Sequence, residues 1–193
     1  MLEYDFETHD EMVELSGVAG EMLSMTVDKI ATLYLKNDKA WVIGFSGGKD
    51  STVVLSLVIQ ALKTLKKDQL TKKVYVVCSD TLVETPVVVG LIRQTLNDVQ
   101  EFADKKGIPL ITQIVIPEVG ETFWSNLLGK GYPAPTKSFR WCTERMKINP
   151  VSEFIQGTVS NHGEVIVALG SRAQESATRA QSIAKHAIKG SEL

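Results

Sequence analysis

The chain has 193 residues, a formal net charge of -2, 44% hydrophobic and 23% charged residues, and a mean hydropathy of +0.01. These values describe an ordinary globular chain with room for one domain and a substantial core, and they leave no space for a second full domain. No apolar run reaches the length of a membrane span, the acidic start is unlike a secretory signal, and two cysteines are too few for a disulfide framework or a closed metal site. A reducing, cytoplasmic location is expected.

Charge is unevenly spread. Residues 1–28 hold acids such as Glu3, Asp10, Glu14 and Asp28 with no Lys or Arg. Residues 130–147 carry Lys130, Lys137, Arg140, Arg145 and Lys147 against Glu144, and residues 171–189 carry Arg172, Arg179, Lys185 and Lys189 against Glu175. Such stretches attract polyanions like a nucleotide or DNA, or are simply solvated faces.

In chain order, apolar residues at Val13, Val18, Met22, Leu23, Ile30 and Leu33 predict one or two amphipathic helices before Lys36, and Asn37-Asp38 predicts a turn. Residues 1–36 are read as an N-terminal helical segment and 37–193 as the main domain. The central stretch is WVIGFSGGKDSTVVLSLVIQAL, residues 41–62. Trp41 to Phe45 is a short apolar strand, and Val53, Val54, Leu57, Val58, Ala61, Leu62 and Leu65 recur at helical spacing. Between them, Gly47 and Gly48 permit a sharp turn, and the following helix aims free N–H groups and its positive dipole end at the loop. Lys49 adds a charge, and the hydroxyls of Ser46 and Ser51 can donate to phosphate oxygens, so an anion site is expected.

A lysine-rich surface turn (Lys66, Lys67, Lys72, Lys73) then leads to a buried strand at Val74 to Cys78, ending in Ser79-Asp80. Asp80, at a strand's carboxyl end, is either a contact to nucleotide or Mg2+ or a loop cap. Cys78 reads as core. Thr85 is expected to cap a helix with Pro86 at its first position, running to about Lys106 and closed by Gly107. A strand follows from Leu110 to Ile116, then a small helix over 121–128 with Phe123 and Trp124 packed, and an irregular loop over 129–139. The helical pattern on Met146, Val151, Phe154 and Ile155 is interrupted by Pro150, and the last strand is Val165 to Leu169. Strands alternating with helices predict an α/β fold, a doubly wound parallel sheet with helices on both faces.

The loop lacks the spacing of the common G-x-x-x-x-G-K-[ST] nucleotide motif. SGGKDS instead resembles the signature of the ATP pyrophosphatase (PP-loop) superfamily, of the adenine nucleotide alpha-hydrolase-like fold. Together with CSDTLVETP (78–86), TFWSNLLGKGYPAPTKSFRWCTERMKI (122–148) and GSRAQESATRA (170–180), it resembles the DndC family, the sulfurtransferase ATPases of DNA phosphorothioation, with the phosphoadenylylsulfate (PAPS) reductases as wider relatives. The resemblance covers residues 40–193.

It implies an enzyme that binds ATP and Mg2+, adenylates an oxygen of the DNA backbone phosphate with release of pyrophosphate, and lets sulfur replace that oxygen. Its implied partners are duplex DNA, a cysteine desulfurase as sulfur donor and the other proteins of this DNA-modification (restriction-modification) system, with no membrane. Carried onto matching positions, Ser46, Gly47, Gly48, Lys49, Asp50 and Ser51 would hold the pyrophosphate end of ATP. Asp80 would lie near the nucleotide, and Lys49, Asp50, Asp80 and Cys142 would be catalytic. Arg140, Lys147, Arg172 and Arg179 would face phosphates, or else pair with Glu144 or Glu175. Cys142 looks like one ligand of the family's iron-sulfur (4Fe-4S) cluster. Its companions would lie beyond Leu193, so a truncated chain without the cluster is expected. Two other readings stand beside this one. A PAPS or adenylylsulfate reductase-like enzyme would show a tail cysteine or a cysteine pair, and a non-catalytic ATP-binding module would bind without releasing pyrophosphate.

Overall fold

The computed structural model describes residues 18–172, 174 and 176–186. The expectations for Val13 and the acidic residues before Val18, and the partner role of Glu175, lie outside these residues. Four strands form one parallel sheet: β1 (Ala40–Gly44), β2 (Val74–Ser79), β3 (Leu110–Val115) and β4 (Val165–Leu169), in the order β3-β2-β1-β4. β1 is central, with Ile43 opposite Val76 on one side and Ala168 on the other. The first two connections step outward from β1 and the last returns to its other side. The order therefore reverses between β1 and β4.

The central strands β1 and β2 read as near-continuous apolar runs because both of their faces are covered, whereas the edge strands leave Ile111, Val167 and Leu169 exposed. On one face Trp41 and Ile43 of β1 and the following Phe45 join Val74, Val76 and Cys78 of β2 and Leu110 of β3. They pack under α2 (Lys49–Thr64) through Leu55, Val58, Ile59 and Leu62, and under α3 (Pro86–Lys106) through Leu96, Val99 and Phe102. On the other face Val42, Val77 and Val115 meet Val151, Phe154 and Ile155 of α5 (Asn149–His162), where Phe154 lies edge-on to Tyr75 at 5.5 Å. The doubly wound α/β sheet expected from the alternation of elements is thus the observed fold.

α1 (Val18–Leu35) packs beside α2 and is tied to the sheet by Tyr34. The fully buried Tyr34 hydroxyl donates to the Lys72 carbonyl at 2.8 Å and accepts from the Lys72 N–H at 3.0 Å. Lys72 is therefore not a surface residue, as its lysine-rich neighbourhood suggested. It is 7% exposed, its ammonium lies 4.2 Å over the Tyr34 ring, and it donates to the Asn37 carbonyl. Burial lowers its pKa against the opposing pull of Asp38.

α3 begins with Pro86 in its first turn, but Thr85 makes no side-chain cap bond. Its end is as expected, with Gly107 left-handed at φ 70° and its N–H on the carbonyls of Ala103 and Asp104. The expected small helix over 121–128 is present as helical residues 123–129, π-type at Ser125–Gly129 and preceded by a 3-10 turn at Val119–Glu121, but Trp124 is exposed rather than packed. Pro150 does not break its helix. α4 (Trp141–Thr143) runs through a π turn at Glu144–Ile148 into α5, and the Asn149 N–H reaches the Glu144 carbonyl. Widening the ladder just before Pro150 makes room for a ring that an α-helical register would crowd. α6 (Ala177–His186) starts at Ser176, whose Oγ accepts from the Arg179 N–H at 3.1 Å. None of the described helices is long and apolar enough to cross a membrane.

Candidate functional site

In open α/β sheets ligands gather at the carboxyl ends of strands where the order reverses. That point lies between β1 and β4, and the segments leaving these strands begin at 45–48 and 170–172. The first is the glycine-rich loop. Gly47 takes φ 71°, a left-handed conformation that favours glycine, and a Cβ there would approach Ile92 Cγ1 to 3.1 Å. Gly48 occupies the cap position of α2 without a side-chain cap, which leaves the first-turn N–H groups facing the loop. Ser51, 7% exposed, builds the turn: its Oγ accepts from the Ser46 N–H at 3.2 Å and donates to the Gly48 carbonyl at 2.8 Å. Its single proton is thereby committed within the loop. Ser46, Gly47, Gly48 and Lys49 form the exposed rim.

The second loop closes on the first. Gly170 lies against the Asp50 peptide, and Arg172 Nε forms an ion pair with Asp50 Oδ1 at 2.9 Å. Arg172 was expected to face phosphate or to pair with Glu144 or Glu175. Its partner here is Asp50, whose carboxylate also gains from its place in the first turn of α2.

Asp80 stands one strand away. Its N–H donates to Val115 O at 2.9 Å, Oδ1 accepts from the Leu82 N–H at 3.0 Å, and Oδ2 lies 3.4 Å from Arg93 Nη2. In this state Asp80 is the loop cap of the two roles foreseen for it. It holds Leu82 at φ 60°, a conformation that costs a non-glycine residue on the order of 1–2 kcal/mol. A cleft beside it is lined by Ser79, Asp80, Glu84, Ile92, Arg93 and Ile114. Ile92 also touches Gly47, so the cleft and the glycine loop share a wall. Sequence reasoning missed Arg93, whose position on α3 looks like any solvated helical arginine.

The remaining expected residues sit on other elements at the same edge or beyond it. Lys147 reaches the end of β2 through its carbonyl, which accepts from Ser79 Oγ at 3.5 Å, and its side chain is exposed. Arg140 is exposed just before α4, and Cys142 is half-buried within it. Arg179 is exposed on α6. Arg145 is bound to Glu121, with Lys130 on the same carboxylate at 2.7 Å. Those two cations hold Glu121 below the usual glutamate range, the Lys130 bond first and the Arg145 bond second. The basic stretch 130–147 is therefore partly neutralised by an acid that no local spacing marks. Cys78 is 2% exposed, and burial first, then the Asp80 charge, push its thiol up to about 11.

No group of three or more His, Cys, Asp or Glu side chains that could hold a metal occurs among the described residues. Cys142 alone does not make an iron-sulfur site, which takes several thiolates.

The model of the phosphoadenosine phosphosulfate reductase domain matches residues 40–187. An uncharacterized protein of Methanocaldococcus jannaschii, MJ0066, is 32% identical over 175 residues, which is 90% of this chain and 32% of that protein. A second from the same organism, MJ0973, is 31% identical over 135 residues, 70% of this chain and 26% of its own length. The chain thus spans about a third and about a quarter of these relatives. Among solved structures, the U34-tRNA thiolase NcsA of Methanococcus maripaludis, with its 4Fe-4S cluster, aligns with a TM-score of 0.49 and 17% identity over 86% of this chain and 49% of its own. Because the family match runs from the first residue of β1 past the end of α6, the chain belongs to the phosphoadenosine phosphosulfate reductase domain family.

Proposed function

We propose that the chain is the nucleotide-activating domain of a DNA-phosphorothioating sulfurtransferase of the DndC type, an ATP pyrophosphatase. The observation that carries this reading is the SGGKDS loop at the reversal point of the sheet, with Gly170 and Arg172 closing over its first helical turn. The blocks at 78–86, 122–148 and 170–180 support the finer assignment to DNA modification.

In this reading the loop N–H groups, Ser46 and Lys49 bind the β and γ phosphates. A nonbridging oxygen of the DNA phosphate attacks the α phosphorus, the bond from that phosphorus to the bridging oxygen breaks, and pyrophosphate leaves with the electron pair. Lys49 stabilises the charge that gathers on the leaving group. Arg172 exchanges Asp50 for phosphate oxygens, and its guanidinium fork suits them. Asp50 and Asp80 supply the carboxylates that Mg2+ prefers, and Mg2+ would screen the polyphosphate. Arg140, Lys147 and Arg179 belong to the DNA side of the site. A cysteine desulfurase supplies the sulfur as a persulfide, and a thiol reductant takes it to the sulfide level with formation of a disulfide. That sulfide attacks the activated phosphorus as AMP leaves with the electron pair of the broken P–O bond. Cys142 is not assigned a step, because the residues present do not complete a cluster.

The family match gives a specific reason to keep a second reading, a reductase acting on an adenylylated sulfate, which takes the same loop but consumes no ATP. The test is turnover of ATP by the wild type and Lys49→Ala, resolving pyrophosphate from orthophosphate, with and without duplex DNA. Pyrophosphate that disappears in the variant supports the activation chemistry. Reduction of an adenylylated sulfate by thiol without pyrophosphate supports the second reading, and ATP binding with neither product leaves a binding module.

A further inference from the structure

The segment between β3 and α5 carries an arrangement that the nucleotide site does not use. Phe123 stacks on Trp141 with centroids 5.5 Å apart and planes 22° apart. Tyr132 meets the same indole edge-on at 5.6 Å, and Trp124 meets Phe123 edge-on at 5.2 Å. Polar contacts fix this array. Trp141 Nε1 donates to the Pro133 carbonyl at 3.0 Å, while Arg145 lies 5.0 Å over the Tyr132 ring, bonds its hydroxyl at 2.8 Å and pairs with Glu121. Trp141, at the centre, is 5% exposed, but Trp124, at the end, is 57% exposed. Phe139 is also exposed, and it is held by a tight turn in which Thr136 and Phe139 exchange backbone bonds of 3.1 and 3.2 Å.

An indole presented to water on a rigid base gives up apolar burial without regaining freedom, and it loses little entropy when a flat ring meets it. The same segment carries cations. Lys137, Arg140 and Lys147 are exposed and form no ion pair among the described residues. The location is equally informative, because β3 delivers the segment to the carboxyl edge of the sheet and the Lys147 carbonyl meets Ser79 there. Rigid aromatic faces interleaved with cations hold the unstacked bases and the backbone of a single strand.

We propose that this surface binds an unpaired stretch of DNA, with one base stacked on Trp124 and flanking phosphates on Lys137 and Arg140, on the same edge of the sheet as the nucleotide loop. The choice of DNA rests on the function proposed above, whereas strand binding itself needs no ATP.

Of the three tryptophans, Trp41 and Trp141 are buried, so changes in intrinsic fluorescence report chiefly on Trp124. The chain is titrated with a single-stranded DNA oligonucleotide, the same sequence as RNA, and the DNA duplex, at low and high salt. Single-stranded DNA should quench the emission and bind more tightly than the duplex or the RNA. Trp124→Leu should weaken that binding about tenfold, as expected for one lost stack, and Trp124→Phe should restore much of it. Lys137→Ala and Arg140→Ala should weaken binding and flatten its salt dependence. Lys49→Ala should bind the strand like the wild type, so a failure of ATP turnover leaves this result standing. Thermal melting of each variant separates lost folding from lost binding. Unchanged affinity in a folded Trp124→Leu, binding without quenching, equal affinity for duplex, tighter binding of RNA, or binding of no nucleic acid overturns the proposal.

Discussion

Gly170 and Asp50 meet through their backbones: a Cβ on Gly170 would lie 2.6 Å from both the carbonyl carbon and the carbonyl oxygen of Asp50. Any side chain at 170 must push the β4 loop away from the first turn of α2. Gly170→Ala is expected to weaken ATP binding at least about tenfold, the scale of 1.4 kcal/mol, and to lower the melting temperature. Gly90→Ala on α3 is the contrast, since a Cβ there meets nothing within 4 Å. That change should stabilise the fold by about 0.5–1 kcal/mol, the ordinary gain of alanine over glycine within a helix. Calorimetric titration with ATP and melting curves distinguish the two.

The Asp50–Arg172 pair is part-exposed, with side-chain exposures of 27% and 45%. Its direct worth to stability is therefore about 0.2–1 kcal/mol, screened by salt. A double-mutant cycle of Asp50→Asn and Arg172→Gln, followed by melting at low and high ionic strength, should return a small coupling that shrinks with salt. ATP affinity should respond differently. If Arg172 turns to the phosphates as proposed, Arg172→Gln should weaken it more than the stability coupling alone explains.

Glu121 gathers Lys130 and Arg145 at the base of the 129–139 loop, and both lower its pKa. A carboxyl with a lowered folded pKa contributes stability above its unfolded value and loses that contribution as pH falls through the folded value. Glu121→Gln should therefore melt below the wild type at neutral pH. The gap should begin to narrow as pH drops below the ordinary glutamate value of about 4.5 and close only below the lowered folded value.

The two cysteines should separate cleanly toward a thiol reagent. Cys78 is buried within β2 with its thiol pushed up to about 11, so the reactive thiolate is scarce and shielded at neutral pH. Cys142 is half-buried on α4. Native protein should yield one fast equivalent, lost in Cys142→Ser, and the second should appear only on unfolding. Two fast equivalents would mean that β2 opens readily.

The parts of the fold written in local patterns were legible. Residues 41–62 announced strand, glycine turn and helix in sequence order, and Val165 to Leu169 was bounded correctly because an apolar run between glycines admits little else. What escaped were relationships between distant residues. Lys72 looked solvated in a lysine-rich turn, but Tyr34 and Asn37 enclose it. Glu121 gave no sign of collecting Arg145, and Arg172 gave none of pairing with Asp50 in the first turn of α2. Thr85 had the right type and place for a cap yet makes no cap bond. Residue type predicts capacity for an interaction, and tertiary placement decides whether it is used.

The strand order has a consequence for how the molecule is assembled. β1 is among the first elements made, yet its pairing is completed only by β4, near the end of the described chain, where Ala40 meets Val165 and Gly44 meets Leu169. Contacts of such long range form late, because the intervening chain must first be gathered. Gly170 and Arg172 arrive with that final strand. A nascent chain can hold the glycine loop and α2 long before its opposite wall exists, so the complete site is the last part of the fold to form rather than the first.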